Sequence, residues 1–118
     1  MKGLMIISNN MEDIESLGTR ALLVRAGFDM TLASFESLDK VQTAFNLSVE
    51  VEANAHTVNP QNYDFIVIPG GKYVKETVDQ DKVVKQLLKR FKQENKMIAA
   101  ICAGPRFLGQ AGLLDNIN

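Results

Sequence analysis

The sequence has little of the residue types that build disulfides and metal centres. Its 118 residues include one cysteine, one histidine and no tryptophan. A single cysteine cannot form an internal disulfide, and one cysteine with one histidine does not supply the clustered ligands of a structural zinc site. Neither a P-loop nor a G-x-G-x-x-G pattern occurs, so nothing in the sequence indicates a bound nucleotide. We therefore expect no metal and no cofactor.

An excess of charge and long apolar runs are also absent. The formal net charge is −1, which gives no electrostatic reason to expect binding to nucleic acid or to an anionic membrane. No apolar run approaches the roughly 20 residues that span a bilayer. The opening stretch "MKGLMIISNN" lacks the long apolar core and the cleavage site of a signal peptide. These absences, with the lone cysteine, predict a cytoplasmic protein.

The sequence does contain a regular alternation of short apolar runs and amphipathic segments. The runs predicted as strands are "GLMIIS" (3–8), "FDMTLAS" (28–34), "YDFIVIPGG" (63–71) and "KMIAAIC" (96–102). The segments predicted as helices are 11–27, 79–95 and "AGPRFLGQAGLL" (103–114). Strands that alternate with helices imply a parallel sheet with helices on both faces. The pattern therefore predicts a single α/β domain over residues 1–118.

Each of the first two predicted helices has an apolar stripe that we expect to be buried. In the first helix, with Gly27 as its C′ residue, the stripe consists of Ile14, Leu17, Ala21, Leu22 and Val24. In the second helix, with Asp79 or Asp81 as its N-cap, the stripe consists of Val83, Val84, Leu87, Leu88 and Phe91.

Residues 35–62 are less regular and leave two interpretations open. The runs "VQTAF" (41–45) and "LSVEVEA" (47–53) fit a hairpin that turns at Asn46. They also fit one strand followed by an irregular arm.

Cys102 is the strongest candidate for a reactive residue. It follows a predicted central strand directly and precedes "AGP", which fits a tight turn and a helix start. Ligands bind at the carboxyl edge of open α/β sheets, and the N-H groups of a helix start favour a thiolate and hold a developing oxyanion. Gly70 and Gly71 end the neighbouring predicted strand and permit close approach to the backbone. The alternative is an inert core thiol, since free cysteine is often buried.

The stretches "YDFIVIPGG" and "MIAAICAGPRFLGQAGLL" resemble the ThiJ/PfpI superfamily, and within it the branch of the parkinsonism-associated deglycase and its bacterial relatives. The resemblance runs from "KGLMIIS" to "AGLL", which is nearly the whole chain. It implies a flavodoxin-like three-layer sandwich with a mainly parallel sheet. That fold agrees with the pattern of strands and helices described above.

The resemblance also implies roles for individual residues. Cys102 matches the family's nucleophilic, oxidation-prone cysteine, and Glu15 matches the glutamate on the first helix that hydrogen-bonds to its sulfur. Without the resemblance, Glu15 would be an ordinary solvated helix charge. We interpret Glu12 and Asp13 as charges of that kind, or as N-terminal helix charges that the helix dipole favours. The backbone donors of the pocket match Gly70, Gly71 and Ala103, and Arg25 matches an arginine near the family's dimer contact. The family implies a homodimer.

The chain departs from the family pattern in two ways. The protease-like branch has a histidine after the cysteine, where this chain has Ala103. The only histidine, His56, lies in the irregular region, where we expect a surface or turn position. Family members also continue well past the residue that matches Leu114, so we expect the C-terminal part of the domain to be missing and an apolar face and a sheet edge to be uncovered. The alternative is a genuinely short protein that covers this edge by oligomerising.

Three functions follow from the resemblance. The first is a glyoxalase or deglycase that acts on small reactive carbonyls or glycated adducts through Cys102 and Glu15. The second is an oxidative-stress sensor or chaperone-like protein whose Cys102 is oxidised without turnover. The third is a protease- or amidase-like hydrolase, for which the sequence offers Cys102 no adjacent histidine as a base.

Overall fold

A five-stranded sheet forms the centre of the computed structural model, which describes residues 1–36, 39–69 and 82–100. The strands are β1 (Lys2–Ile6), β2 (Asp29–Ser34), β3 (Lys40–Gln42), β4 (Ser48–Glu50), β5 (Ala53–Asn54), β6 (Phe65–Ile68) and β7 (Met97–Ala100). The helical elements are a π-helical segment (Ile14–Gly18), α1 (Thr19–Arg25), a 3₁₀ turn (Pro60–Asn62) and α2 (Lys82–Gln93). The predicted helix over 103–114 and the predicted N-caps Asp79 and Asp81 lie outside the described residues.

The sheet has the order β5-β2-β1-β6-β7, and all of its pairs are parallel. β1 lies at its centre, and Leu4, Met5 and Ile6 are fully buried there. The order grows outward from β1 in both directions, which is typical of a doubly wound α/β sheet. The predicted α/β fold with a mainly parallel sheet is confirmed.

The two helices cover opposite faces of the sheet. Side chains alternate along a strand, so Phe65 and Val67 share one face of β6 while Ile66 and Ile68 share the other. Leu23 of α1 lines a groove together with Phe65 and Val67, which places α1 on their face. The right-handed crossover from β6 to β7 places α2 on the opposite face.

The predicted buried face of the second helix is confirmed. In α2 the side chains that pack into the core are Val84, Leu87, Leu88 and Phe91, and Val83 is partly buried. No helix in the described part of the chain is long and apolar enough to cross a bilayer.

The predicted buried face of the first helix is wrong in part. Leu17 packs against the core, but Ile14 is 79% exposed, Leu22 is 67% exposed, and Ala21 and Val24 are also exposed. The physical reason is the π-helical segment, whose i→i+5 bonding inserts a residue into the turn. A helical wheel drawn at 3.6 residues per turn therefore loses its register before α1 begins. The C′ position of Gly27 is confirmed, and its φ of 99° suits glycine.

Of the two interpretations of the irregular region, the structure shows the hairpin. The region also contains a strand that we did not predict. β3 and β4 pair antiparallel, with Val41 opposite Val49, and Asn46 turns the chain with a φ of 70°. The predicted runs were longer than these strands of three residues each. The missed strand is β5, which has only two residues and joins the edge of the main sheet beside β2.

The fourth predicted strand is less buried than we expected. Met97 is 70% exposed, and Ile98, Ala99 and Ala100 are only partly buried. β7 is the last strand of the sheet within the described residues, so it has one described neighbour, β6.

Two glycines give a test of how tightly the sheet packs. A Cβ at Gly3 would overlap the ring of Phe65 and lie 2.7 Å from Sδ of Met30. Gly18 has a helical φ of −64°, and a Cβ there meets only Cγ2 of Ile14, at 3.9 Å. We expect Gly3→Ala to lower the free energy of unfolding by about 1–3 kcal/mol through overpacking. We expect Gly18→Ala to raise it by up to about 1 kcal/mol through helix propensity. Urea denaturation of both variants measures this, and effects of equal sign would contradict the described packing.

Candidate functional site

Three strand ends define the candidate site. β1, β6 and β7 are adjacent and parallel, so they end at the same edge of the sheet. The chain that leaves β1 leads to Glu15, Gly70 follows β6 by two positions, and Cys102 follows β7 by two positions. Ligands bind at this edge in open α/β sheets. The fold therefore brings the chain segments that lead to these predicted site residues to one place.

The structure describes some of the predicted site residues. Gly70, Gly71, Cys102 and Ala103 lie outside the described residues. Glu15 and Arg25 lie within them, so the geometry below concerns the part of the edge that follows β1.

Glu15 occupies the π-helical segment that leads into α1. Its backbone N–H donates to Oε2 of Glu12 at 2.7 Å, and the residue is partly buried. Within the described residues, its own carboxylate has no hydrogen-bond partner. π-helical turns are often found at functional sites. The hydrogen bond to Glu12 thus fixes the backbone of Glu15 at the start of the helical region.

Glu12 and Asp13 lie at the start of the π-helical segment, in agreement with one of our two interpretations, and both also make specific hydrogen bonds. Glu12 holds the amide of Glu15, as noted above, and its carbonyl oxygen accepts from the buried Ser16 hydroxyl at 2.7 Å. Asp13 binds the β3–β4 hairpin: its Oδ2 accepts from Oγ1 of Thr43 at 2.6 Å. Acidic residues at a helix start are visible in the sequence, but the partner of Asp13 is not, because it lies thirty residues away.

Arg25 lies away from this edge. It is the last residue of α1, exposed, and ten residues beyond Glu15, which corresponds to roughly 15 Å along a helix. Its predicted role at a dimer contact is compatible with this exposed position.

The model of the DJ-1/PfpI family matches residues 1–118. The chain belongs to the DJ-1/PfpI family. The predicted resemblance to this superfamily is therefore confirmed.

Relatives in the DJ-1/PfpI family carry deglycase and DJ-1 names. The chain is 34% identical over 114 residues to Deglycase PH1704 of Pyrococcus horikoshii, which covers 97% of this chain and 68% of that protein. It is equally identical, with the same coverage, to Deglycase PfpI of Pyrococcus furiosus. The solved structure of oxidized Toxoplasma gondii DJ-1 superposes with a TM-score of 0.87 at 33% identity, over 98% of this chain and 63% of that one. The chain thus spans about two thirds of the length of these family members.

His56 is an exposed residue in a turn, as the sequence predicted. Its Nε2 lies 3.2 Å from the carbonyl oxygen of Phe35, and its backbone N–H donates to Oδ1 of Asn54 at 2.9 Å. It follows β5, which is four strands away from β7 in the sheet. At about 4.8 Å per strand, that separation is roughly 19 Å. His56 is therefore placed poorly to act as a base for a nucleophile that follows β7.

Two other features of the described chain bear on ligand binding. Residues 1–36, 39–69 and 82–100 contain no group of three His, Cys, Asp or Glu side chains arranged to hold a metal ion. An apolar groove lies on the α1 face of the sheet. Its lining includes Met1, Leu23, Phe28, Phe65, Val67 and Met97. Met1 precedes β1 and Met97 begins β7, so the groove extends to the amino edge, opposite the candidate site.

Proposed function

We propose that this chain is a cysteine-dependent enzyme of the glyoxalase or deglycase type, in which Cys102 attacks small reactive carbonyls and Glu15 moves protons. The substrates are aldehydes such as methylglyoxal, or the adducts they form with other molecules. The support from relatives is that two similar proteins are named deglycases. Both relatives are longer than this chain, which covers 68% of each.

One observation carries the proposal. Glu15 follows β1 and Cys102 follows β7, and the fold ends both strands at the same sheet edge with only β6 between them. Two strand spacings are about 10 Å, a distance that a helix-borne side chain and a strand-end side chain together span. The partial burial of Glu15 and the absence of a described partner for its carboxylate suit a group that exchanges protons with a neighbour.

The chemistry needs no external oxidant. The thiolate of Cys102 adds to the aldehyde carbon, a C–S bond forms, and the carbonyl oxygen takes a proton to give a hemithioacetal. Glu15 then removes the proton from that carbon and returns a proton to the adjacent carbonyl carbon, while the hydroxyl proton of the hemithioacetal passes to the oxygen of that neighbour, which leaves a thioester of the 2-hydroxy acid. Water hydrolyses the thioester and releases a 2-hydroxy acid and the free thiol. The aldehyde carbon is oxidised as its neighbour is reduced.

The rate of Cys102 alkylation as a function of pH tests the paired groups. We expect iodoacetamide to modify the protein with a midpoint below the value of about 8.5 of an ordinary cysteine. We expect Glu15→Gln to move that midpoint upward by about one unit, because a weaker amide donor replaces the carboxylic acid that donates to the thiolate. Intact mass spectrometry follows the reaction without ambiguity, since the chain has a single cysteine.

Glu94→Gln is the matched control. Glu94 is an exposed carboxylate at the end of α2, so its loss changes the net charge equally and leaves the candidate edge intact. A midpoint near 8.5 in the unmodified protein, unchanged in Glu15→Gln, would contradict the proposed pair and indicate an inert thiol.

A redox role is the second candidate, and a structural neighbour favours it, because the matched Toxoplasma gondii DJ-1 was solved in an oxidized form. In this role two equivalents of a peroxide oxidise the Cys102 thiolate, first to a sulfenate and then to a sulfinate, while each peroxide is reduced, and no carbonyl is consumed. The same activated thiolate serves both functions. Turnover of methylglyoxal by purified protein separates them.

We also propose that the chain forms a homodimer. Apolar side chains are exposed on the first helical region and on the hairpin, which supports an interface there. They are Ile14, Leu22, Val24, Phe45 and Leu47.

A further inference from the structure

The β3–β4 hairpin depends on its neighbours for its position. Each of its strands has three residues, they pair only with each other, and such isolated two-stranded hairpins are marginally stable in water. Val41 is 1% exposed and Thr43 is 2% exposed, so one side of the hairpin is buried against the domain.

The hairpin is bound to the loop that connects β1 to the π-helical segment. The backbone N–H of Asn10 donates to the carbonyl oxygen of Gln42 at 2.8 Å, and that of Ala44 donates to the carbonyl oxygen of Met11 at 2.9 Å. The backbone N–H of Gln42 donates to Oδ1 of Asn9 at 2.9 Å. This loop is the one that places Glu15 at the sheet edge.

Asp13 also connects this loop to the hairpin, through its carboxylate. Both of its oxygens bind the hairpin: Oδ2 accepts from Oγ1 of Thr43 at 2.6 Å, and Oδ1 accepts from the backbone N–H of Phe45 at 3.2 Å. Oγ1 of Thr43 in turn accepts from the backbone N–H of Leu47 at 3.0 Å. Hydrogen bonds to a carboxylate are about twice as strong as neutral ones.

The use of this carboxylate is unusual for its position. Asp13 stands at the N-cap of the π-helical segment, where an aspartate ordinarily accepts from the first N–H groups of its own helix. It makes no such bond, and Glu12 accepts from the amide of Glu15 instead. Glu12 therefore satisfies the helix start locally, through the amide of Glu15, while Asp13 connects the helix start to the hairpin.

We propose that Asp13, held by Thr43, is a positioning residue that fixes Glu15 relative to Cys102. This inference rests on the function proposed above. Asp13 precedes Glu15 by two residues, so a displacement of the Asp13 anchor passes directly to the Glu15 carboxyl. A displacement of about 1 Å at a reacting group lowers a rate by up to about 100-fold.

Thr43→Val and Thr43→Ser test the proposal in the 118-residue chain. Valine has the shape of threonine without the hydroxyl, while serine keeps the hydroxyl that Asp13 and Leu47 bind. We expect Thr43→Val to move the midpoint of Cys102 alkylation upward by roughly half a unit, since a loosened Glu15 stabilises the thiolate less. We expect Thr43→Ser to restore the original midpoint. Asp13→Asn, which keeps the size of the side chain, provides the same measurement if Thr43→Val does not fold.

A double-mutant cycle shows whether the effect passes through Glu15. We expect Thr43→Val to cause no further shift in the Glu15→Gln background. Leu88→Ala is the control for lost stability, because Leu88 is buried in α2 on the opposite face of the sheet. We expect it to lower the melting temperature and to leave the alkylation midpoint unchanged.

The failures of the two proposals are distinguishable. A shift in Glu15→Gln with none in folded Thr43→Val or Asp13→Asn would overturn the positioning role alone. An equal shift from Thr43→Val in both backgrounds would also overturn it, because the hairpin would then act without Glu15. An unchanged midpoint in Glu15→Gln would remove the proposed role of Glu15 and the positioning role with it.

Discussion

Replacing Cys102 with serine is expected to lower the rate of methylglyoxal consumption by roughly a thousandfold or more while the fold is retained. The nucleophile in the proposed reaction is a thiolate, and a serine hydroxyl stays protonated at neutral pH. The described part of the chain offers no histidine close to the end of β7 to activate a hydroxyl, since His56 follows β5, four strands away in the sheet. The loss should therefore be nearly complete. Lactate formation from methylglyoxal, measured with metal-free protein, gives the rate.

Glu15→Gln is measured in the same assay and is expected to lower the rate through loss of proton transfer rather than loss of the nucleophile. It keeps the nucleophile but loses the group that moves protons, so we expect a loss of about 10²–10⁴-fold. Circular dichroism must show the same melting transition in each variant. Persistent turnover in Cys102→Ser would contradict the proposed enzyme. Absence of turnover in the unmodified protein, with a mass gain of two oxygen atoms after peroxide, would favour the redox role.

The sequence predicted the parts of the fold that depend on hydrophobic patterning. Buried parallel strands are continuous apolar runs, and the β1 and β6 runs were recognised for that reason. The face of α2 was predicted correctly because it is a regular helix of twelve residues. The buried face of the first helix was predicted wrongly in part, because the π-helical segment shifts the helical periodicity. No local sequence pattern indicates this segment. β5 was missed because two residues carry no periodicity.

The sequence predicted only those site residues that a local motif or the family resemblance identifies one at a time. Cys102 and Glu15 were identified from motifs and from family resemblance, and the topology brings their chain segments to one edge. The role of Asp13 was hidden because it depends on a tertiary contact with Thr43, and the spacing between these residues follows no secondary-structure period. The hairpin itself was predicted as one of two alternatives. Its contact with the β1 loop depends on hydrogen bonds that sequence patterns do not encode.

Leu22→Glu is expected to convert a dimer into a monomer. Leu22 is 67% exposed and lies three residues before the exposed Arg25, so the two share one surface of α1. Burial of a leucine side chain contributes about 1.5–3 kcal/mol. In a two-fold symmetric interface each substitution acts twice, so the lost burial alone amounts to about 3–6 kcal/mol. This corresponds to a rise of at least about 100-fold in the dimer dissociation constant. Sedimentation velocity over a range of concentrations measures it.

Met97→Glu distinguishes this surface from the other exposed apolar side chains. Met97 is 70% exposed, nearly the same as Leu22, but it lies at the start of β7 rather than on α1. If α1 forms the interface, Met97→Glu leaves the dissociation constant unchanged while Leu22→Glu raises it. The opposite pattern would place the contact at β7 and the apolar groove beside it. An interface on α1 also has a consequence for the site, because α1 continues directly from the segment that holds Glu15. Dissociation should then lower the alkylation rate of Cys102 as well, since the helix that positions Glu15 loses its outer support.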